Sequence, residues 1–264
     1  KLREPIPPQR PFVMLDARDS PAHPCGKCLF YEKSLWNPVG LGCVSVLACG
    51  FSRRDVAAGE VLFEQGSRNR GVFCVSKGLI ALRSHNPDGS STLMRLAYPG
   101  EIVGFRSFLS HGEHQTEARA LMPARVCTVA RGSAEKLLRN NPAIMERLMV
   151  RAVAEIDRSH ARIIAAATTS NKDRLEQLLG WLMTRHGARI GAEMRMQLPM
   201  TRSDLADLIG VQRETMSRLI KRLEEDGVFR FSGREVLMRV PGDLMAQCSD
   251  AEREEVRLLV QRLR

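Results

Sequence analysis

Residues 201–227 constrain the fold most, because they meet every spacing requirement of two closely crossed helices. Thr201 can cap a helix, and Asp204 follows three residues later, near the positive end of that helix. With the residue after Thr201 as position one, a small Ala206 falls at position five and Gly210 at position nine. Positions ten, fifteen and eighteen are apolar: Val211, Met216 and Leu219. Close crossing needs the small residue and the turn needs the glycine, so the spacing predicts a helix-turn-helix.

The second helix of this motif, predicted over residues 212–225, has one apolar and one polar face. Glu214, Ser217 and Arg218 lie at i, i+3 and i+4, so they project together near the N-terminus, where base contacts are usually made. Arg can bond guanine O6 and N7, and Glu can accept from cytosine N4, so we predict that these residues read bases. The alternative is an intrahelical ion pair between Glu214 and Arg218.

Other cations around the motif are interpreted as contacts to the DNA backbone, which position a protein without specifying sequence. These predicted backbone contacts are Arg202, Arg213, Lys221 and Arg222. After residue 227 the segment VFRFSGREVLMRV alternates across a Ser232-Gly233 turn, which predicts a two-stranded wing. Arg230 and Arg234 on this wing are further candidates for backbone contact.

Residues 59–129 show the pattern of a small antiparallel barrel. Short apolar runs alternate with glycines at positions 66, 78, 89 and 100, the spacing of turns in a sandwich or barrel. Asp88-Gly89 predicts a hairpin with a type I′ turn, since both residues tolerate a positive φ.

The pattern then changes to a helical period from about Ser133 to Thr168, with a break near Asn141-Pro142. After the break, apolar or small residues recur in alternating steps of four and three, which forms a heptad-like seam. The seam residues are Met145, Met149, Ala152, Ile156, Ser159, Ile163 and Ala166. The seam packs either on the chain's own barrel or in a parallel dimer contact. Ser170 is predicted to cap the next helix, which ends before Gly187.

Seven cysteines are an odd number for a disulfide framework, and a chain of 264 residues does not need one. Four of them fall close together, at Cys25, Cys28, Cys43 and Cys49, which predicts metal or redox chemistry. These four allow a structural zinc site, although the second pair lacks the usual C-x2-C spacing, and the first pair alone allows a thiol switch. Cys74 and Cys248 are interpreted as buried or incidental thiols, and His23 as a solvated side chain.

The formal net charge of +10 suits a polyanionic partner, but most of the excess lies in residues 1–170. No apolar run approaches the ~20 residues that cross a bilayer, and the charged, Pro-rich start is not a secretory signal, so we expect a cytoplasmic protein. An enzyme with an accessory helical domain is the remote alternative. The chain shows no nucleophile–base pair, Gly-rich phosphate loop or HExxH motif, and we predict that it is not an enzyme.

Barrel, long helix and winged helix-turn-helix in this order resemble the CRP/FNR transcription regulators. The resemblance spans roughly residues 25–245, and its specific segments are GEVLFEQG (59–66), PGEIVGF (99–105) and the motif at 201–227. It implies an α+β fold: an antiparallel barrel like that of cyclic-nucleotide-binding domains, a dimerisation helix and a winged helix-turn-helix. We predict a Cys-containing segment over 1–50, a barrel over 51–135, a helix over 136–170, a DNA-binding domain over 171–245 and a tail over 246–264.

The Glu214-x-x-Ser217-Arg218 pattern resembles the FNR branch, whose members read half-sites of the TTGAT type. The resemblance implies a homodimer on a palindromic operator, with RNA polymerase as a partner when the protein activates. It also implies an oxygen-labile [4Fe–4S] cluster, bound here by Cys25, Cys28 and Cys127. The family's remaining cysteine is replaced by Trp36, and Cys43 or Cys49 could substitute for it. Cluster binding would promote dimerisation, and oxidation would release DNA.

A cofactor-free, thiol-responsive or cyclic-nucleotide-responsive regulator remains an alternative. A CRP-type barrel would bind cyclic AMP with an acidic residue after a glycine and with a later Arg-Ser/Thr-Ala stretch. Gly100 and Glu101 are present, but the later stretch reads EHQTEARA (113–120). No Arg occupies the phosphate position, so binding of cyclic AMP is not expected.

Overall fold

The computed structural model describes residues 23–26, 28–191 and 193–239. It divides into two compact units, with the division between Arg158 and Ser159. The predicted tail at 246–264, Cys248 and the first 22 residues of the predicted Cys-containing segment lie outside the described residues. None of the described helices is long and apolar enough to cross a membrane.

The first unit begins with a segment of short helical turns that covers one face of a sheet. Turns of 3-10 helix at Tyr31–Lys33 and Leu41–Cys43 precede helix α1, Val44–Gly50. Leu35, Trp36 and Leu47 of this segment are completely buried. They join Val72, Ile102 and Val129 of the sheet in one apolar core, so the cysteine-containing segment is part of the folded unit.

The sheet is antiparallel and runs in the order β1-β6-β3-β4, with β2 paired to β6 and β5 to β3. Its strands are β1 Phe51–Val56, β2 Val61–Phe63, β3 Gly71–His85, β4 Ser91–Ala97, β5 Ile102–Val103 and β6 Glu117–Ala130. A second apolar core includes Phe63, Phe73 and Val126. The two cores require alternate residues of β6 to point to opposite faces, as the pleat dictates. The predicted antiparallel barrel is confirmed.

The hairpin between β3 and β4 differs from the predicted type I′ turn. His85 pairs with Ser91, so residues 86–90 form a five-residue loop. Gly89 has a positive φ of 81°, but Asp88 does not. Instead, the Asp88 carboxylate accepts a hydrogen bond from the Ser90 backbone N–H at 2.9 Å. The Asp side chain therefore closes a wider turn rather than entering the left-handed region.

Helices α2, Phe105–Leu109, and α3, Arg131–Asn140, complete the first unit together with the beginning of α4, Pro142–Thr168. The predicted break at Asn141-Pro142 is confirmed. Pro142 starts α4 because proline fits the first helical position, where no N–H is needed. The first helix of this region begins two residues before the predicted Ser133. The division between the two units falls within α4.

The described part of the second unit contains the end of α4, three further helices and a four-stranded antiparallel sheet in the order β7-β8-β10-β9. The helices are α5 Asn171–His186, α6 Arg202–Ile209 and α7 Arg213–Glu225. The strands are β7 Gly187–Ile190, β8 Glu193–Gln197, β9 Phe229–Ser232 and β10 Glu235–Arg239. The predicted wing is β9 and β10, and the β7–β8 hairpin is an addition that the sequence interpretation missed.

Candidate DNA-binding surface and thiol site

The joint between α6 and α7 is built by short-range contacts. The Asp204 backbone N–H donates to Thr201 Oγ1 at 3.2 Å, and the Thr201 backbone N–H donates to Asp204 Oδ2 at 2.8 Å, a complete capping box. Gly210 then takes a left-handed conformation (φ 72°), where a side chain would be strained. Ala206 is buried at the crossing. The spacing at 201–227 therefore folds as predicted.

The polar face of α7 is free for DNA. Glu214, Ser217 and Arg218 are all exposed, whereas Met216 and Leu219 on the other face are buried. Glu214 does not pair with Arg218; the Arg218 guanidinium instead lies 3.5 Å from Thr215 Oγ1. Ser217 donates to the Arg213 carbonyl at 3.2 Å, which keeps its side chain close to the helix. The carboxylate and the guanidinium are thus both available to base edges.

The four predicted backbone-contact residues are also exposed, and three of them form weak surface interactions. Arg213 Nε donates to Ser203 Oγ at 3.0 Å, and Lys221 Nζ lies 3.8 Å from Glu225. The Arg202 guanidinium lies 5.9 Å from the centre of the Phe231 ring. Exposed pairs of this kind contribute about 0–1 kcal/mol, so phosphate oxygens can replace them.

The two wing arginines already have partners within the second unit. Arg230 pairs with Glu193 at 2.8 Å. Arg234 donates from Nε and Nη2 to the Leu198 carbonyl, at 3.2 and 2.8 Å. Arg234 therefore joins the wing to the segment before α6, a structural role that the sequence pattern did not predict.

In the first unit, Arg53 connects the cysteine-containing segment to the sheet. Arg53 on β1 is the register partner of Cys127 on β6. Its Nε donates to Cys127 Sγ at 3.4 Å, and its Nη2 donates to the Pro24 carbonyl at 3.1 Å. One guanidinium thus holds the strand cysteine beside the residue that precedes Cys25.

Three of the predicted ligands share this neighbourhood. Burial, together with the thiols of Cys127 and Cys28, raises the pKa of the Cys25 thiol to about 12. Cys43 is half-buried at the start of α1, and Cys49 is exposed on that helix. Neither of these two contributes to the pKa shift of Cys25. The structure therefore brings Cys25, Cys28 and Cys127 together.

From its sequence context, Cys74 is interpreted as a buried or incidental thiol, but the structure places a second thiol next to it. Cys74 lies on β3 directly opposite Cys127. Burial and the nearby Cys25 thiol raise the pKa of the Cys74 thiol to about 12, although the neighbouring Trp36 indole lowers it. His23 is also buried rather than solvated, and its Nδ1 accepts from the Cys25 backbone N–H at 3.1 Å.

Within the described part of the chain, no three His, Cys, Asp or Glu side chains converge closely enough to hold a single metal ion. The zinc alternative on Cys25, Cys28, Cys43 and Cys49 thus has no preformed site there. A four-iron cluster binds each thiolate through a different iron, so its ligands surround a larger centre. The neighbouring thiols of Cys25, Cys28 and Cys127, beside the cationic Arg53, have the donor chemistry that such a cluster needs.

Two protein-family models match the chain. The cyclic nucleotide-binding domain matches residues 53–141, and the Crp-like helix-turn-helix domain matches residues 173–264. The chain belongs to the CRP/FNR family of transcription regulators. It is therefore a DNA-binding transcription regulator and not an enzyme, as the sequence predicted.

Relatives of this regulator point to the FNR-like branch. It is 24% identical to the anaerobic regulatory protein of Aggregatibacter actinomycetemcomitans, over 79% of this chain and 80% of the relative. It is also 24% identical to the fumarate nitrate reduction regulatory protein of Klebsiella oxytoca, over 76% and 80% of the two chains. The c-di-GMP responsive global regulator CLP of Xanthomonas campestris has the same fold, with a TM-score of 0.65 at 17% identity over 76% of this chain and 99% of that one.

The barrel of this CRP/FNR regulator lacks a free cation for a cyclic-nucleotide phosphate in the EHQTEARA stretch. His114 is buried, with its ring stacked 3.7 Å from that of Phe63. Burial lowers the pKa of His114 to about 4, so it is neutral at pH 7. Arg119 donates from Nε and Nη2 to the Glu117 carboxylate at 2.8 and 2.7 Å. The Glu101 carboxylate accepts from Arg95 and from the Tyr98 backbone, both at 3.1 Å.

Helix α4 exposes most of its predicted seam. Met145, Met149, Ile156, Ser159 and Ile163 are exposed, whereas Ala152 is half-buried against the core of the first unit. An open apolar groove of about 770 Å³ runs along the first half of the helix. Its lining includes Leu138, Met145, Met149, Val150 and Val153. The alternative in which the seam packs on the chain's own barrel does not describe these side chains.

Proposed function

We propose that this regulator reads TTGAT-like palindromic half-sites as a homodimer and responds to oxygen or redox state through a cysteine-ligated [4Fe–4S] cluster. The observation that carries the DNA-reading part is the exposed, mutually unpaired arrangement of Glu214, Ser217 and Arg218 on α7. A carboxylate facing DNA is repelled by phosphates unless it accepts a hydrogen bond from a base. Arg218 is the guanine-reading residue and Glu214 the cytosine-reading residue.

The exposed apolar stripe of α4 supports the homodimer. Isolated exposed apolar side chains are common, but a contiguous stripe on one helix marks an interaction surface. A second copy of the same helix fits it, because a two-fold contact is self-complementary. The pairing of two recognition helices then matches a palindromic operator, and RNA polymerase is the partner in activation.

The thiols near Arg53 support the sensor. Cys25, Cys28 and Cys127 would each bind one iron, and the sequence assigns the remaining iron to Cys43 or Cys49. When bound, the cluster supplies an oxygen-sensitive redox centre. The chain's own residues do the rest: the buried thiols give up their protons on binding, and Arg53 holds Cys127 and Pro24 in place. The names of the two relatives, which refer to anaerobic and fumarate–nitrate regulation, agree with this assignment.

A cyclic-nucleotide response is the weaker alternative. Within residues 113–120, His114 is neutral and stacked, and Arg119 is paired with Glu117. Neither residue is a free cation for the phosphate of a cyclic nucleotide. Titration with cyclic AMP is therefore expected to leave DNA affinity unchanged, and a tenfold increase would support the alternative.

Two experiments test the proposal. Without oxygen, the protein should bind a TTGAT-N4-ATCAA duplex at least about a thousandfold more tightly than a scrambled duplex of equal length, as specific regulators do. Equal affinity for the two duplexes would overturn the half-site assignment. Protein purified without oxygen should contain about four iron and four acid-labile sulfide per chain, with a visible absorbance that air bleaches. A chain without iron after reconstitution would overturn the cluster.

A further inference from the structure

The strand register places a fourth thiol at the proposed cluster site. Cys74 and Cys127 are direct partners in the antiparallel β3–β6 pair. The side chains of directly opposed residues lie on the same face of the sheet, with Cβ atoms about 4.5–5.5 Å apart. Arg53 on the other side of Cys127 extends the same cross-strand row. Cys74 therefore faces the cysteine-containing segment together with Cys127.

The segment that covers this row meets it at Cys25 and Trp36. Cys25, Trp36 and Ile102, which is the register partner of Cys74 on β5, belong to one buried core, and Cys74 packs against that core. Cys25 is close enough to interact electrostatically with both Cys74 and Cys127. Cys25 is thus near two thiols of the sheet rather than one.

Trp36 supplies an independent observation that points to a ligand. Its side chain is completely buried, and no described oxygen or nitrogen atom accepts a hydrogen bond from its indole N–H. A buried donor without an oxygen or nitrogen acceptor is unfavourable, because burial has removed its hydrogen bond to water. The indole lies beside the Cys74 sulfur, and a thiolate there is a far better acceptor than a thiol.

Two arginines complete the surroundings. Arg151 on α4 is half-buried near Cys74, and it donates from Nη1 to the Gly100 carbonyl at 3.2 Å. The exposed Arg53 donates to Cys127 Sγ, so each of the two strand cysteines has a cation nearby. Such cations offset the net negative charge of a cluster that is held by four thiolates.

We propose that Cys74 is the fourth ligand of the cluster site, together with Cys25, Cys28 and Cys127. This inference rests on the proposed cluster and replaces Cys43 or Cys49 as its remaining ligand. In this chain a tryptophan occupies the position where the resemblance implies a cysteine. The neighbouring strand provides the thiolate, and the tryptophan provides that thiolate with a hydrogen bond.

The test compares C74S with two matched variants, C49S and C43S, in the full-length chain reconstituted without oxygen. Serine keeps an acceptor for the Trp36 N–H, so C74S should fold, and circular dichroism melting checks this. We expect wild type, C49S and C43S to hold about four iron per chain and C74S fewer than about one, at least a fourfold loss. If C74S holds about four iron per chain and C43S or C49S loses iron, Cys74 is not the fourth ligand. The proposal of a cluster would then still stand. Absence of iron in the wild type would overturn both proposals.

A second measurement uses the wild-type protein alone and does not depend on the folding of a variant. Loaded and chelator-stripped samples are treated with N-ethylmaleimide in mild urea, and the modified cysteines are mapped by mass spectrometry. Cys74 should react at least about tenfold more slowly in the loaded sample, while Cys49 should react equally in both. Equal reactivity of Cys74 in the two samples would contradict its role as a ligand.

Discussion

The DNA-reading helix and the thiol site differ in how their parts are assembled and how they meet solvent. Every residue of the α6–α7 joint lies within residues 201–227, and the polar side chains on the outer face of α7 are exposed. The thiol site combines Cys25 and Cys28 with Cys74 and Cys127, which the β3–β6 register brings together. The first is a local structure with a charged surface, and the second is a long-range structure whose thiols are buried or half-buried.

Because of this difference, the two sites respond to different conditions. Exposed charges interact with DNA through salt-dependent contacts and need no change in protonation. Buried thiols with a pKa near 12 bind iron only by losing protons, so binding is coupled to the local fold. The recognition surface is therefore preformed, whereas the sensor needs its ligand to complete it.

The strongest test of the preformed surface is Arg218→Ala. A bidentate contact to guanine is worth about 1–3 kcal/mol, and a homodimer has two of them, so affinity for the TTGAT duplex should fall by about 30-fold to 3 × 10⁴-fold. Preference for the matched duplex over one changed at the guanine should largely disappear. Arg222→Ala is the matched control, and it should weaken all duplexes equally and lower the salt slope by about one per half-site. Uniform weakening by R218A would show that Arg218 contacts phosphate instead.

The next prediction concerns Ile156, which belongs to the exposed apolar stripe of α4. In the proposed dimer, Ile156→Asp places a carboxylate at the interface, and loss of a buried Ile contributes about 1.5–3 kcal/mol per chain. The dimer should dissociate at least about a hundredfold more readily in sedimentation equilibrium. Ala161→Asp, on an exposed position away from the seam, is the control and should leave dimerisation unchanged. If the two variants weaken the dimer equally, the apolar stripe of α4 is not the dimer contact.

The pH dependence of stability tests the buried barrel. Burial lowers the pKa of His114 to about 4, whereas the unfolded side chain titrates near 6.5. The unfolded state binds the extra proton between these values, so stability should fall as pH drops from 6.5 to 4, by up to about 3 kcal/mol from this group. His114→Gln should flatten this slope in urea unfolding, with exposed His160→Gln as the control. An unchanged slope in H114Q would mean that His114 is accessible to protons in the fold.

The same contrast explains which features the sequence predicts. The capping box of Thr201 and Asp204, the Ser170 cap and the break at Pro142 depend on neighbours within a few residues, and all three are present. The approach of Cys74 to Cys127 depends on strand register, which a list of apolar runs does not specify. The β7–β8 hairpin was missed for a related reason, because β8 also pairs with β10, which lies further along the chain.

The smallest predicted effect concerns the helix cap at Thr201, which depends only on neighbouring residues. Thr201→Ala removes the bond from the Asp204 N–H to Thr201 Oγ1 but keeps the bond from the Thr201 N–H to the buried Asp204 carboxylate. The second unit should lose about 1 kcal/mol of unfolding free energy, the usual contribution of a cap. Trp36 and Trp181 lie in different units, so Trp181 fluorescence in a W36F background reports urea unfolding of the second unit alone.

Thr201→Ser is the matched control, since it retains the hydroxyl and should lose less than half as much. T201A should also leave the base preference of Arg218 unchanged, because the cap acts on stability and lies on a different helix from the reading face. A loss of preference equal to that in R218A would mean that the capping box orients α7 directly. The capping box would then determine both the stability of the motif and its preference for particular bases.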